Sequence, residues 1–439
     1  MALIAILTSI WHGPDRRMFL PGATSHGHYQ IELDCQACHT PWMGVNERAC
    51  LDCHEAELKS ANDSHPQSKF TDPRNADRLK LVAADQCVTC HREHQAQQTK
   101  AMGVTMPEDY CFHCHPQTRR ERSSHAQFEF ASCATAGCHN YHDNTALYEN
   151  FLRKYAAEPD LKTPAQVAHR DSLEPLRHSE RISGRAPLSS DAHDAPASVK
   201  FEPRVLRDWA GTAHARAGVN CTDCHRIAEE PGGAKRWVDA LDHRACAPCH
   251  AEEVDGFLAS KHGMRLARAL GPMRPDLARL PMKPASAHRE LSCSSCHSAH
   301  TFNTRAAAVD SCLSCHNDEH SLSFQNSSHF RLWKEEMAGR TAPGTGVSCA
   351  TCHLPREIHS AGGQSRVRVQ HNQNMNLRPN EKMIRSVCLQ CHGLRFTLDA
   401  LADRDLIRSN FIGRPSFHVE SIDLAVRRQM ETEKTKSNP

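Results

Sequence analysis

Residues 35–54 read CQACHTPWMGVNERACLDCH, with the pentapeptide Cys-x-x-Cys-His at each end. Two thiols three positions apart lie on one side of a helical turn. The adjacent histidine can then bring its imidazole to a metal held beside that turn. The pattern recurs along the chain, beginning at Cys35, Cys50, Cys87, Cys111, Cys221, Cys246, Cys293, Cys312, Cys349 and Cys388. Its second cysteines are Cys38, Cys53, Cys90, Cys114, Cys224, Cys249, Cys296, Cys315, Cys352 and Cys391. Of the 22 cysteines only Cys133 and Cys138 remain, and they precede His139 with a four-residue gap between them. No cysteine is left over.

Two other chemistries share part of this pattern. Zinc ribbons pair Cys-x-x-Cys segments but need no histidine after each second cysteine. Thioredoxin-like motifs come singly, inside a βαβ unit. Covalent haem attachment accounts for all three positions. The thiols form thioethers to the two vinyl groups, and the histidine becomes the proximal iron ligand. The motifs thus predict eleven covalent haems c, with His39, His54, His91, His115, His139, His225, His250, His297, His316, His353 and His392 as proximal ligands.

Composition agrees with a cofactor-filled interior. In 439 residues, hydrophobic content is 39% and aromatic content 5%, thin for a chain that would otherwise bury a large core. A cytosolic protein seldom keeps so many thiols free. The formal charge of the bare chain is +2. Two propionates per haem would add about 22 negative charges, partly offset by oxidised iron, which makes an acidic holoprotein and argues against nucleic-acid binding. Residues 2–11 form a mostly apolar run, too short to span a bilayer. It fits the apolar part of an export signal, although no basic residue precedes it and no small-x-small cleavage site is visible. The expected location is periplasmic or extracellular, with membrane association through the N-terminus.

Five motifs lie between Cys35 and His139, and six between Cys221 and His392. The expected division is a lead-in over 1–30, a five-haem domain over 31–150, a linker or wrapping segment over 151–205 and a six-haem domain over 206–439. So few residues serve each haem that the haems must form the core collectively. The expected fold class is mainly α with extensive loops and little or no β-sheet. Candidate helices outside the motifs are 144–156, 330–338 and 398–409. The polar tail 431–439 reads as frayed.

The chain has 32 histidines, so the 21 outside the motifs outnumber the haems. Bis-histidine ligation is open to every iron and favours low potentials, since methionine ligation raises them. His94, His142 and His300 follow their motif histidine by three residues, and His320 follows His316 by four. None can bend back onto its own iron, but each can reach a neighbouring one. His26, His28, His125, His214 and His288 stand shortly before a motif, and His262 and His329 follow Lys261 and Ser328. His65, His359 and His371 complete the distal candidates. His12, His169, His178 and His193 read as non-ligands.

The N-terminal part resembles small class III-type multihaem modules, through its paired motifs and Cys-His-x-x-His segments. The C-terminal part resembles the hydroxylamine oxidoreductase and octahaem nitrite reductase group. The residues that carry this are WAGTAHARAGVNCTDCH at 209–225, SKHG at 260–263, the segment 328–353 ending GVSCATCH, and RSVCLQCH at 385–392. That resemblance implies an oxidoreductase of small nitrogen or sulfur oxyanions. Against it, all five tyrosines, Tyr29, Tyr110, Tyr141, Tyr148 and Tyr155, precede the C-terminal region, where that group places a functional tyrosine. The lysine-ligated Cys-x-x-Cys-Lys motif is also missing. Electron transfer, with no catalytic residue, is therefore the first expectation. The oxyanion reductase is second, and a haem-rich subunit of a filament or surface complex third. Redox proteins are the expected partners, and homo-oligomers or filaments the expected assemblies.

Overall fold

The structure is a computed structural model and describes residues 17–41, 43–61, 65, 67–100, 103–107, 109–122, 125–126, 141–142, 148–168, 181–228, 235–361, 364–377, 382–416 and 418–437. The expected export segment and the motif Cys133–His139 lie outside the described residues.

Short helices and turns dominate. Among the described residues sheet is confined to three antiparallel hairpins: β1 (His39–Thr40) with β2 (Gly44–Val45), β3 (Arg226–Ala228) with β4 (Lys235–Trp237), and β5 (Arg356–Ala361) with β6 (Gln364–Val369). The mainly α expectation with little β-sheet holds. Each hairpin begins at a motif histidine or within three residues after one, so the chain reverses near the end of the motif turn.

Three of the motif turns start at built caps. In the helices Cys221–His225, Cys293–His297 and Cys349–His353, the residue before the first cysteine (Asn220, Ser292, Ser348) exchanges capping hydrogen bonds with the residue before the second. A reciprocal cap fixes the first turn. Both thiols and the histidine are thereby set on a turn whose start is defined.

Apolar packing is sparse. The largest buried cluster joins Leu152 to Ile384, Leu394, Leu398, Ile422 and Ala425 beside the last motif. Val309, Leu313 and Phe324 form a second small cluster, and Ile182 with Val219 a third. The expected helices appear with altered bounds, as Glu149–Lys154 and Ser328–Met337. The third is two helices, Leu394–Ala402 and Arg404–Arg408. Asp403 breaks the run because its carboxylate accepts from the Leu406 amide at 3.0 Å and caps the second helix. The tail expected to fray is helical over Ser421–Ser437, anchored at its start by the fully buried Ile422.

The motifs from Cys35 to His139 form a first motif cluster along the chain and those from Cys221 to His392 a second, and residues between them bond to the second. The Lys162 amide donates to the Cys391 carbonyl at 2.8 Å, Val167 to Gly344 at 2.9 Å and Leu188 to Ala215 at 2.9 Å. The clusters also touch directly. The side-chain amide of buried Gln30 donates to the Lys261 carbonyl, Arg265 to the Gln30 carbonyl, and Arg268 pairs with Asp34 at 2.7 Å.

Candidate haem sites

Ten motif histidines are described, and each faces one histidine from outside the motifs. In the first cluster, His39 faces His94, His54 faces His28, His91 faces His142 and His115 faces His65, with ring centres 6.3, 5.9, 6.3 and 6.2 Å apart. In the second, His225 faces His300, His250 faces His214 and His297 faces His371, at 6.0, 6.0 and 6.3 Å. His316 faces His262, His353 faces His320 and His392 faces His329, at 6.4, 6.1 and 6.3 Å. An imidazole nitrogen binds a metal at about 2.0 Å, and the ring centre lies about 1.2 Å behind it, so two imidazoles on one iron stand about 6.3 Å apart. The donor set fits a haem iron with one ligand on each face.

Ring orientation is fixed from behind. A histidine whose Nδ1–H is bonded to a carbonyl or carboxylate presents Nε2 to a metal. Nδ1 donates to backbone carbonyls at His65 (Tyr141, 2.6 Å), His91 (Gly103, 3.2 Å), His94 (Gly22, 2.9 Å) and His225 (Val238, 2.7 Å). The same holds at His371 (Val369, 2.9 Å), His392 (Asp160, 2.9 Å) and His320 (Ile407). Carboxylates take this role for His28, through Glu93 at 2.6 Å, and for His54, through Glu57 at 3.0 Å. At His320, the Asn410 amide nitrogen also stands 3.2 Å from Nε2, a contact that iron binding would displace. These supporting residues escaped the sequence reading. Only Glu57, three residues after His54, carries a local signal.

Burial keeps several rings neutral and ready to ligate. His214, His262, His329 and His353 are lowered to about 4, by desolvation first and by a neighbouring imidazole second. Burial also pushes the Cys352 thiol up to about 12, and Cys224 and Cys296 to about 11, so these sulfurs sit inside the fold.

Three of the other distal candidates sit beside other groups, and the motif that the fourth, His125, precedes lies outside the described residues. His26 packs its ring 5.8 Å from Tyr29, His288 is exposed beside Asp276, and His359 lies on β5 beside Glu357. His125 is half-buried near Arg122 and Arg428. Among the predicted non-ligands, His193 packs against Phe201, while His12, His169 and His178 lie outside the described residues.

A family model described as a doubled CXXCH motif matches residues 80–120, which hold the third and fourth motifs. The doubled motif supports a multihaem c-type cytochrome. Its Cys-x-x-Cys-His segments imply covalent haem c, and electron transfer is the general function of such cytochromes, which are typically extracytoplasmic. No curated protein and no solved structure matches the chain. Among the described residues no helix is long and apolar enough to cross a membrane.

Proposed function

We propose that the chain is an eleven-haem electron carrier with bis-histidine ligation, working in an extracytoplasmic redox chain between partner proteins. The observation that carries this reading is the one-to-one pairing of ten motif histidines with ten others at a two-ligand separation. An iron held on both faces has no position for a substrate, so electrons pass without bond making.

Haem c, when bound, supplies a one-electron couple at each site. The chain's own residues do the rest. Each cysteine pair would hold the group by thioethers, and the motif histidine and its partner would be the two residues that ligate its iron. Carbonyls and carboxylates behind Nδ1 set the ring planes and raise ligand basicity, which favours the oxidised iron and low potentials. Burial of His262, His329 and His353 keeps water from those irons.

The test is kinetic. The holoprotein should be reduced rapidly by a low-potential dye and reoxidised rapidly by an artificial acceptor. Hydroxylamine, nitrite and tetrathionate should not turn over. Steady turnover of any of them at roughly 1 per second or more would replace this reading with the oxyanion reductase.

A further inference from the structure

The partners of the first four motif histidines come from the same place in the motif order in both clusters. The first motif's histidine takes its partner three residues after the third motif: His39 from His94, and His225 from His300. The second takes a histidine seven residues upstream of the first motif: His54 from His28, and His250 from His214. The third takes one from beyond the fifth motif: His91 from His142, and His297 from His371. The fourth takes one from shortly after the second motif: His115 from His65, and His316 from His262. Thiol contacts repeat too. Cys50 lies beside Cys87, and Cys246 beside Cys293, in each case the leading cysteines of the second and third motifs.

Ring planes follow the same order. At the first site the two imidazoles are inclined by 28° in one cluster and 14° in the other. At the second site the angles are 68° and 83°. The third site returns to smaller angles, 20° and a tilted 44°, and the fourth to larger ones, 68° and 63°; the fifth, described in the second cluster, also stands at 70°. A backbone feature is also shared at the first site. His94 and His300 both hold left-handed φ, 62° and 66°, a conformation that a side chain rarely adopts and that surroundings must enforce. Around His94 the backbone packs closely: an added Cβ at Gly22 would collide with the His94 carbonyl, and His94 Nδ1 donates to the Gly22 carbonyl at 2.9 Å.

We infer that the two clusters are copies of one iron-ligating unit, in which the first and third imidazole pairs are inclined less steeply than the near-perpendicular second and fourth, and that Cys388–His392 with His329 is a further site added to the second copy. The inference rests on the bis-histidine reading and deepens it, since ring rotation is an electronic lever on the iron. Parallel imidazole planes separate the two iron orbitals that interact with them, whereas perpendicular planes leave those orbitals nearly equal in energy. The unit therefore sets two electronic classes of site along the path, and the added site, with rings at 70°, belongs to the perpendicular class.

Low-temperature electron paramagnetic resonance of the fully oxidised, full-length holoprotein tests this. The expected spectrum holds two low-spin signals: a rhombic one from near-parallel sites, and a strongly anisotropic one with a large maximal g value from perpendicular sites. His94→Ala and His300→Ala should each remove one iron's share of the rhombic signal. His28→Ala and His214→Ala should each remove one share of the anisotropic signal. A single low-spin class overturns the inference while leaving bis-histidine ligation intact, and so does loss from different classes at equivalent positions. Mostly high-spin iron in the unaltered protein overturns the ligation reading itself. If a variant does not accumulate with haem, the unaltered spectrum alone still decides whether two classes exist.

Discussion

Glu93 accepts a hydrogen bond from the Nδ1 of His28 at 2.6 Å, and the Ser25 hydroxyl donates to the same carboxylate at 2.7 Å. Burial alone would raise the Glu93 carboxyl, but these bonds outweigh it and lower it to about 2. A carboxylate behind the ring makes His28 a more electron-donating ligand toward the site it shares with His54. Glu93→Gln keeps the shape and removes the charge. The expected result is an upward shift of one potential by on the order of 50 mV, with the other waves of a redox titration unmoved. No shift would mean that Glu93 only holds the loop.

His418 offers a pH-dependent clasp away from the iron sites. Its Nε2 stands 2.8 Å from Asp423 and its Nδ1 3.2 Å from Asp399. Hydrogen bonds to Asp423 first and Asp399 second raise its pKa above the ordinary histidine value. A raised value in the folded state contributes stability that is complete below the unfolded pKa, and this is lost as pH rises through the folded value. Protection of the helix Ser421–Ser437 against hydrogen exchange should therefore be greater at about pH 6 than at about pH 9. In His418→Ala that difference should disappear. Equal protection in the unaltered protein at both pH values would remove the clasp.

The apoprotein should not fold. Outside the last motif's surroundings, the described cores are as small as Ile182 with Val219, too little to offset the ordering of a chain this long. Protein made without haem attachment should lack the far-ultraviolet circular dichroism of the holoprotein, and native helicity in it would contradict this account.

Attachment chemistry was legible in the sequence because three residue types at fixed spacing must share one turn. Partners such as His94 and His300 were legible as a class, through Cys-His-x-x-His, but not as pairs, because the iron they meet belongs to a motif far away in the chain. His359 and His371 show the limit. Both follow the fifth motif of the second cluster, yet β5 and β6 carry His359 to Glu357 and deliver His371 to His297. Nothing local separates them, since the hairpin register decides. The C-terminal helix was missed for a different reason. Its polar composition hid the buried Ile422 and Ala425, whose three-residue spacing puts both on one face against Leu398.

Intact-mass measurement of the holoprotein should show eleven haems. The order of partners extends this expectation to the fifth motif of the first cluster. In the second cluster His353, of the fifth motif, is served by His320, which follows the fourth. The histidine that follows the fourth motif in the first cluster is His125. His125→Ala should therefore retain eleven haems and convert one to high spin. An unchanged spin state would assign that iron another ligand, and a count of ten would leave Cys133 and Cys138 without haem.

Irons closed on both faces would carry electrons without using them, and carbon monoxide reports whether they are closed. Carbon monoxide binds ferrous haem only where an axial position is open, so the reduced, unaltered protein should bind less than one molecule per chain. His329 is the informative residue to remove. It stands 6.3 Å from His392, its pKa is depressed to about 4 by burial first and His392 second, and Phe411 packs 6.2 Å from its ring. His392 would keep its own anchor, because its Nδ1 donates to the Asp160 carbonyl at 2.9 Å and its ring stacks on Phe396 at 4.8 Å. His329→Gly should thus leave the haem attached and one face bare, in a space about the size of an imidazole and lined by aromatic carbon. One carbon monoxide per chain should bind, and one iron should become high-spin. If the unaltered protein already binds carbon monoxide in a one-to-one ratio, an open site exists and electron transfer is not the whole of its chemistry. If His329→Gly retains all its haems and still binds none, His329 is not the ligand that closes this iron.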